Sequence, residues 1–224
     1  LSKPKSDPGN NATPVSFSEK TKIIDLSNDF RLESDKVFDK KEFVYGLPEL
    51  QKEAIKKANY IANPGCFATA IQLALLPLAA SELITNDVHI NAVTGATGAG
   101  TSLSQTTHFT WRDNNFSHYK AFNHQHLGEI HQTVTHLQSD FKAEINFVPN
   151  RGNFSRGIFA TAYTKFYGTL EEAKTMYKTY YKDAEFTFIS DEEIHMKQVV
   201  NTNKCLIHLV KHGDKLLITS AIDN

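Results

Sequence analysis

Residues 61–77, IANPGCFATAIQLALLP, form the most informative stretch of the chain. A short strand-like run ends at Ala62, and Asn63-Pro64-Gly65 is a combination typical of turns. Over Cys66–Ala80, apolar and small residues recur at helical spacing, and Pro77 is expected to end or kink this helix. The sequence therefore predicts a strand, a tight turn and a helix that begins at Cys66.

The predicted position of Cys66 points to chemistry. Backbone N–H groups at the start of a helix favour a thiolate and can hold an oxyanion when that thiolate attacks a carbonyl. Gly65 leaves room for a substrate beside the sulfur. The alternative is a buried structural cysteine, a common fate of this residue, and that interpretation suits Cys205, which lies among apolar residues of a predicted strand. For Cys66, the turn and the helix start favour a nucleophile.

Outward from this stretch, periodicity predicts an α+β fold, because strands come in runs with helices between them and do not alternate strictly. The predicted helices are Leu50–Ala58, Cys66–Ala80, His126–Leu137 and Leu170–Tyr181, the last with Thr169 as its N-cap. The predicted strands are Lys22–Leu26, Tyr60–Ala62, Val88–Thr94, Glu144–Val148, Gly157–Tyr167, Lys204–Val210 and Lys215–Ile222. Residues 1–20 have no periodicity and are interpreted as a linker.

Composition narrows the classes of function. The chain has 224 residues, a net charge of −1 and two cysteines. The charge gives no basic field for nucleic acid, and no apolar run is long enough to cross a membrane. Two cysteines do not make a disulfide framework, so we expect a cytoplasmic protein with reduced thiols.

A thiol mechanism needs a group that takes and returns protons, and histidine suits this role near neutral pH. His124, His126 and Glu129 lie in one short segment at a predicted helix start. Glu129 would lie one helical turn after His126, where a carboxylate can orient an imidazole. The alternative is a set of capping and surface residues. No group of residues has the spacing of metal ligands, so no metal is expected.

Several segments together resemble N-acetyl-gamma-glutamyl-phosphate reductase, a family of arginine biosynthesis that belongs with the aspartate-semialdehyde dehydrogenases. In chain order they are Ile24–Leu32 (IDLSNDFRL), Tyr45–Glu49 (YGLPE), Asn63–Pro77 (NPGCFATAIQLALLP), Gly95–Gly100 (GATGAG), His124–Ile130 (HQHLGEI) and Arg156–Ile158 (RGI). Their order is more specific than any one of them. The resemblance implies part of a Rossmann domain and an α+β catalytic and dimerisation domain, with a mixed, largely antiparallel sheet.

The resemblance also implies an activity and a set of site residues. The thiolate of Cys66 would displace phosphate from an N-acyl-gamma-glutamyl phosphate, and NADPH would reduce the thioester to a semialdehyde. His126 would be the acid/base, supported by Glu129, with His124 as the competing candidate. Further residues are implied for the substrate (Arg31, Asn63, His124 and Arg156) and for NADP (Thr97, Gly98 and Asn224). Arg112 and Arg151 are weaker candidates for the substrate. The partners expected are a small-molecule substrate and a second copy of the chain.

Two departures from that family matter. No G-x-x-G-x-x-G loop precedes residue 22. We therefore expect a fragment, with a linker and a partial nucleotide-binding domain over residues 1–62, a catalytic domain over residues 63–224, and no activity of the chain alone. In Val148–Arg151 (VPNR), Asn150 replaces a histidine that many members carry, and an amide cannot titrate.

Two other functions stay open at this point. A cysteine hydrolase or acyltransferase could use Cys66, His126 and Glu129 without a nicotinamide. A non-catalytic assembly domain could use the strand-rich second half as an interface. The sequence also leaves open which acyl group the substrate carries, acetyl, succinyl or another.

Overall fold

The computed structural model describes Ser18, residues 21–100 and residues 104–224. The chain divides into two compact units, one that ends at Gly65 and one that comprises Cys66–Asn224. The linker expected over residues 1–20 lies outside the described residues, apart from Ser18.

The first unit contains a small parallel sheet in the strand order β1-β5-β4, a separate β2–β3 pair and one helix. Its elements are β1 (Ile23–Asp25), β2 (Val37–Phe38), β3 (Lys41–Glu42), β4 (Val44–Tyr45), α1 (Pro48–Lys57) and β5 (Tyr60–Ala62). Phe30 and Phe43 stack in its core with ring centroids 4.2 Å apart. Helix α1 begins at Pro48, ahead of the predicted Leu50, because proline has no N–H to lose in a first turn and its φ suits a helix.

The second unit is built on a seven-stranded sheet in the order β10-β11-β12-β9-β6-β8-β7. Its strands are β6 (Val88–Thr94), β7 (Ser117–His118), β8 (Ile145–Arg151), β9 (Ile158–Lys165), β10 (Thr187–Ser190), β11 (Cys205–His212) and β12 (Lys215–Ile222). Pairs β6–β8 and β10–β11 are parallel, and the other four are antiparallel. The expected mixed, largely antiparallel sheet is therefore confirmed.

The helices of the second unit are α2 (Cys66–Ala80), α3 (Phe109–Arg112), α4 (His126–Leu137) and α5 (Leu170–Tyr180). Helix α2 is apolar almost all round, and it contacts α4, α5 and the sheet strands β9, β11 and β12. A helix of that composition belongs in a core. None of the described helices is both long and apolar enough to span a membrane.

Pro77 does not end α2, contrary to one of the two outcomes expected for it, since the helix runs on to Ala80. Proline has no N–H, so the carbonyl of Leu73 loses its partner within the helix. The hydroxyl of Tyr181, just past α5, donates to that carbonyl at 2.5 Å. Tyr177 of α5 donates in the same way to the carbonyl of Ala74 at 2.6 Å. A neighbouring helix thus supplies the donor that proline removed.

Two local predictions hold. Thr169 caps α5 in a reciprocal pair with Glu172, whose side chain accepts from the Thr169 backbone N–H. Cys205 is buried in β11, with its sulfur 3.5 Å from the hydroxyl oxygen of Ser220, as a small core residue should be.

Candidate active site

Cys66 is the first residue of α2, and it is partly exposed. The turn before it and the apolar face after it set this position, as the sequence predicts. The positive end of the helix dipole lies at the sulfur, where it favours an anionic nucleophile. Neither Cys66 nor Cys205 is in a disulfide.

Two buried imidazoles lie beside the start of α2. The ring centroids of His124 and His126 are 4.6 Å apart. The ring of Phe67, the residue after Cys66, is 5.5 Å from His124 and 6.3 Å from His126. Packing of α2 against α4 therefore brings together residues that are some sixty positions apart in the sequence.

His124 is held in one tautomer. Its Nδ1 accepts a hydrogen bond from the backbone N–H of His126 at 3.2 Å, so the neutral ring carries its proton on Nε2. Burial, followed by the positive charges of Lys120 and Arg151, lowers the pKa of His124 to about 4. His124 is therefore an uncharged hydrogen-bond donor at neutral pH.

Glu129 lies one turn along α4 from His126, and both side chains are buried. A buried carboxylate lowers the stability of a fold unless hydrogen bonds or an opposite charge compensate it. Among the described residues, no cluster of three or more His, Cys, Asp or Glu side chains could hold a metal ion.

Tyr119 belongs to the same region, although the sequence analysis did not select it. Burial, and then the charge of Cys66, raises the pKa of the Tyr119 phenol, while Arg151 opposes that shift. The guanidinium of Arg151 lies over the Tyr119 ring, 4.4 Å from its centroid. Only the pairing of β7 with β8 brings these residues together, and β7 is too short to be recognised by periodicity.

The three residues implied for the cofactor form a second cluster. Asn224 Oδ1 accepts from Thr97 Oγ1 at 3.4 Å and from the Gly157 backbone N–H at 2.5 Å, while Nδ2 donates to Thr94 Oγ1 at 3.0 Å. A Cβ at Gly98 would come 2.6 Å from Asn224 Nδ2, so glycine is needed for this close approach. The Asn224 amide thus fixes the Gly95–Gly100 loop against the start of β9.

Arg156 lies next to that cluster and is already paired. Its Nη2 donates to Asp223 Oδ2 at 2.8 Å, and its Nε donates to the same carboxylate. Asp223 also accepts from the backbone N–H groups of Asn201 and Asn224. The hydrogen bond that Arg156 donates to Asp223 raises the pKa of Arg156. The pair holds the Arg156 side chain in place at the end of β12.

The other two implied substrate residues lie in the first unit. Arg31 is buried and donates to the carbonyl of Leu26 at 3.0 Å. The Asn63 side chain is exposed and donates to the carbonyl of Pro64 at 3.1 Å. In the second unit, the buried Asn150 donates to Asn91 Oδ1, so its amide has a structural role there.

Comparison with known proteins agrees with the sequence resemblance. The chain is 70% identical over 208 residues to N-acetyl-gamma-glutamyl-phosphate reductase of Christiangramia forsetii, a match that covers 93% of this chain and 64% of that protein. The proteins of that name from Flavobacterium johnsoniae and Bacteroides thetaiotaomicron are 62% and 57% identical. These matches cover 64% and 63% of their lengths, so the chain spans a little under two thirds of these relatives.

Solved structures agree on the fold. Aspartate semialdehyde dehydrogenase II from Vibrio cholerae superposes with a TM-score of 0.66 at 14% identity, covering 90% of this chain and 67% of that one. The aspartate semialdehyde dehydrogenase from Francisella tularensis gives 0.63 at 13% identity, covering 89% and 69%. The family model "semialdehyde dehydrogenase, dimerisation domain" matches residues 66–224, which are the whole second unit. The chain therefore belongs to the semialdehyde dehydrogenase family.

Proposed function

We propose that this chain is the catalytic part of an NADPH-dependent reductase that converts an N-acyl-gamma-glutamyl phosphate to the semialdehyde in arginine biosynthesis. The observation that carries the proposal is Cys66 at the start of α2, beside the buried pair His124 and His126. High identity to reductases of that name supports the same substrate class.

Cys66 is the proposed nucleophile. Its thiolate attacks the acyl carbon, the carbon–oxygen bond to the phosphate breaks, and phosphate leaves, so that the acyl group is held as a thioester on the sulfur. Backbone N–H groups at the start of α2 lie where they can stabilise the negative charge that develops on the carbonyl oxygen.

His126 is the proposed acid/base, and His124 is its fixed neighbour. Proton uptake at Nδ1 of His124 would break its hydrogen bond from the His126 N–H, and its lowered pKa opposes uptake at either nitrogen. His124 can instead donate from Nε2 to an oxygen of the substrate. Transfer of protons to and from the thiol and the carbonyl oxygen then belongs to His126, with Glu129 one turn away to orient it.

Arg31, Asn63 and Arg156 stay in the proposal as substrate residues through their place in the segments that resemble the reductases. The Nε and Nη2 groups of Arg156 bind Asp223, which fixes the guanidinium while its side chain stays about half exposed. A guanidinium held in this way loses little side-chain entropy when it binds an anionic group of a ligand.

The Gly95–Gly100 loop fits one end of a nicotinamide cofactor. Thr97 and Gly98 are exposed and carry little side-chain bulk, and Asn224 holds the loop in place. A flat ring can approach such a surface closely. When bound, NADPH supplies the hydride that reduces the thioester to the aldehyde. We propose that Thr97 and Gly98 contact the cofactor and that Asn224 positions them.

The test uses protein from the whole open reading frame that encodes this chain. The proposal expects reduction of NADP⁺ by N-acetylglutamate semialdehyde only when phosphate is present, and loss of this activity in Cys66→Ser. Hydrolysis of the acyl phosphate without any dependence on nicotinamide would instead favour a cysteine hydrolase. Inactivity towards both substrates, with normal folding, would favour an assembly domain.

We also propose assembly with a second copy through an apolar face of the sheet. Val210, Leu217 and Tyr163 lie side by side on β11, β12 and β9, and they line a groove of about 400 Å³. Val210 and Tyr163 are at least 40% exposed. Exposed apolar patches of this kind are typical of protein interfaces. Val210→Glu should reduce the molecular mass in sedimentation, whereas Lys197→Glu, on an exposed surface elsewhere, should not.

The compartment is proposed from the thiols. Cys66 and Cys205 do not pair in the structure, and Cys66 must stay reduced to act as a nucleophile. Reduced thiols persist in the cytoplasm, where we place the protein. If mild oxidation inactivates the purified protein and an added thiol restores its activity, the requirement for a reduced Cys66 is supported.

A further inference from the structure

Arg112 is a buried cation whose charge is poorly compensated. Its residue is only 6% exposed. Its Nη2 makes two long contacts, 3.4 Å to Ser117 Oγ and 3.5 Å to the carbonyl of Asn115. Its Nε and Nη1 are buried and have no hydrogen-bond partner among the described residues. A buried guanidinium in this state lowers the stability of the fold unless another group binds it.

A second positive charge near Arg112 makes the burial of its guanidinium less favourable. Burial, and then the charge of Arg151, lowers the pKa of Arg112. Arg151 itself donates to Thr106 Oγ1 at 3.1 Å and lies over the Tyr119 ring. Within the described part of the chain, neither arginine forms an ion pair with a carboxylate. Two adjacent cations without an anion are the arrangement that an anionic ligand completes.

The sheet register makes the two arginines converge. Ser117 of β7 is directly opposite Arg151 of β8, and Arg112 contacts the Ser117 hydroxyl. Directly opposed residues of antiparallel strands have their side chains on the same face of a sheet. The pair therefore shares one small region with Ser117, a neutral donor that also suits an oxyanion.

This region adjoins the proposed nucleophile. Tyr119, under the Arg151 guanidinium, is close enough to Cys66 for the charge of the sulfur to affect its pKa. Arg151 also lowers the pKa of His124 through its charge. An anion held by the two arginines would therefore lie within reach of the same substrate that Cys66 attacks.

We propose that Arg112 and Arg151, with Ser117, form an oxyanion-binding subsite that holds a phosphate or carboxylate group of the acyl substrate. The proposal rests on the proposed function only for the identity of that substrate. Arg156 is the contrast within the chain, because Asp223 already neutralises it and it needs no ligand for that purpose.

The test titrates inorganic phosphate into the chain and follows fluorescence of Trp111, the residue before Arg112 and the only tryptophan. Ionic strength is held constant with chloride. We expect a saturable change that weakens about tenfold or more in Arg112→Gln and in Arg151→Gln, as on loss of a charge-assisted hydrogen bond. Lys142→Gln, at an exposed cation ahead of β8 and therefore at the opposite end of that strand from Arg151, should bind as the parent chain does.

Glutarate in place of phosphate distinguishes the two oxyanions, since the group that the subsite prefers should saturate at the lower concentration. Thermal unfolding guards against a folding artefact. Without added anion, Arg112→Gln should be at least as stable as the parent chain, because an unpaired buried charge is removed. At a fixed concentration of phosphate or glutarate, the parent chain should gain more stability than Arg112→Gln.

The opposite pattern would overturn the proposal. If neither anion gives a saturable change and Arg112→Gln unfolds at a much lower temperature, Arg112 is a structural residue. The outcome is independent of the reductase activity. Protein from the whole open reading frame that binds phosphate through both arginines but fails to reduce NADP⁺ with the semialdehyde and phosphate would contradict the proposed function and leave the subsite intact.

Discussion

The polar side chains near the two ends of α2 have different roles. At its start, Phe67 packs against the imidazoles of His124 and His126, and Cys66 is close enough to the Tyr119 phenol to affect its pKa. At its other end, Pro77 leaves a carbonyl that the hydroxyl of Tyr181 satisfies. At the first end, the polar groups lie where they can act in the proposed reaction. At the second end, a hydroxyl satisfies the backbone and lets a core helix continue through a proline. Substitutions at the two ends should therefore have separable effects, on chemistry at one and on stability at the other.

The largest effect is expected for Cys66→Ser. A hydroxyl cannot replace the thiolate, so activity of the protein from the whole open reading frame should fall by about a thousandfold or more. Stability should change little, because the side chain is at the edge of the core. The reactivity of the thiol is measured directly as the rate of alkylation against pH. The fast phase of alkylation should vanish in Cys66→Ser and persist in Cys205→Ser. If the fast phase of alkylation persisted in Cys66→Ser and vanished in Cys205→Ser, Cys66 would not be the reactive thiol.

His126→Ala should lower turnover by about a hundredfold, the usual loss when a general acid–base group is removed. Glu129→Gln should cost less, because the role proposed for Glu129 is to orient the imidazole and not to transfer a proton. The exposed His136 at the end of α4 supplies the control, and His136→Ala should keep full turnover. If His126→Ala has a normal turnover and His124→Ala has lost it, the acid/base group is His124 and not His126.

His124 should make stability depend on pH. Its pKa is about 4 in the folded state and about 6.5 in the unfolded chain, so the unfolded chain binds the extra proton first. The contribution of His124 to stability is therefore complete above pH 6.5 and is lost as the pH falls towards 4, by on the order of 3 kcal/mol. Urea unfolding of the parent chain and of His124→Gln between these pH values measures the difference. Equal slopes in the two proteins would rule out His124 as the titrating group.

Tyr181→Phe should have the smallest effect and should act on stability alone. Loss of its hydroxyl leaves the Leu73 carbonyl buried without this donor, at a cost of about 1–2 kcal/mol in the free energy of unfolding. Tyr167→Phe, at an exposed tyrosine, should change stability little. Cys66 alkylation should keep its rate in both variants. A slower alkylation in Tyr181→Phe would show that the two ends of α2 are coupled.

Sequence patterns predicted the main elements because the patterns are local. The periodicity of His126–Leu137 and the apolar alternation of Val88–Thr94 give the observed bounds of α4 and β6. The turn 63–65 and the helix that follows place Cys66, and Thr169 places the start of α5. Each of these signals depends on neighbours a few residues away, which a single sequence contains in full.

The tertiary structure alone decided which distant groups meet. Nothing in the sequence around Pro77 indicates that Tyr181 donates to the carbonyl of Leu73, and a proline within a helical pattern by itself predicts an end or a kink of the helix. Tyr119 and Arg151 come together because the two-residue strand β7 pairs with β8, and such a strand has no periodicity to recognise. Burial then gives these groups their chemistry, because the charge of a guanidinium or an imidazole is costly only where water and counter-charges are excluded. The sequence by itself placed Cys66 at the start of its helix; packing determined which phenol and imidazoles lie near that helix start.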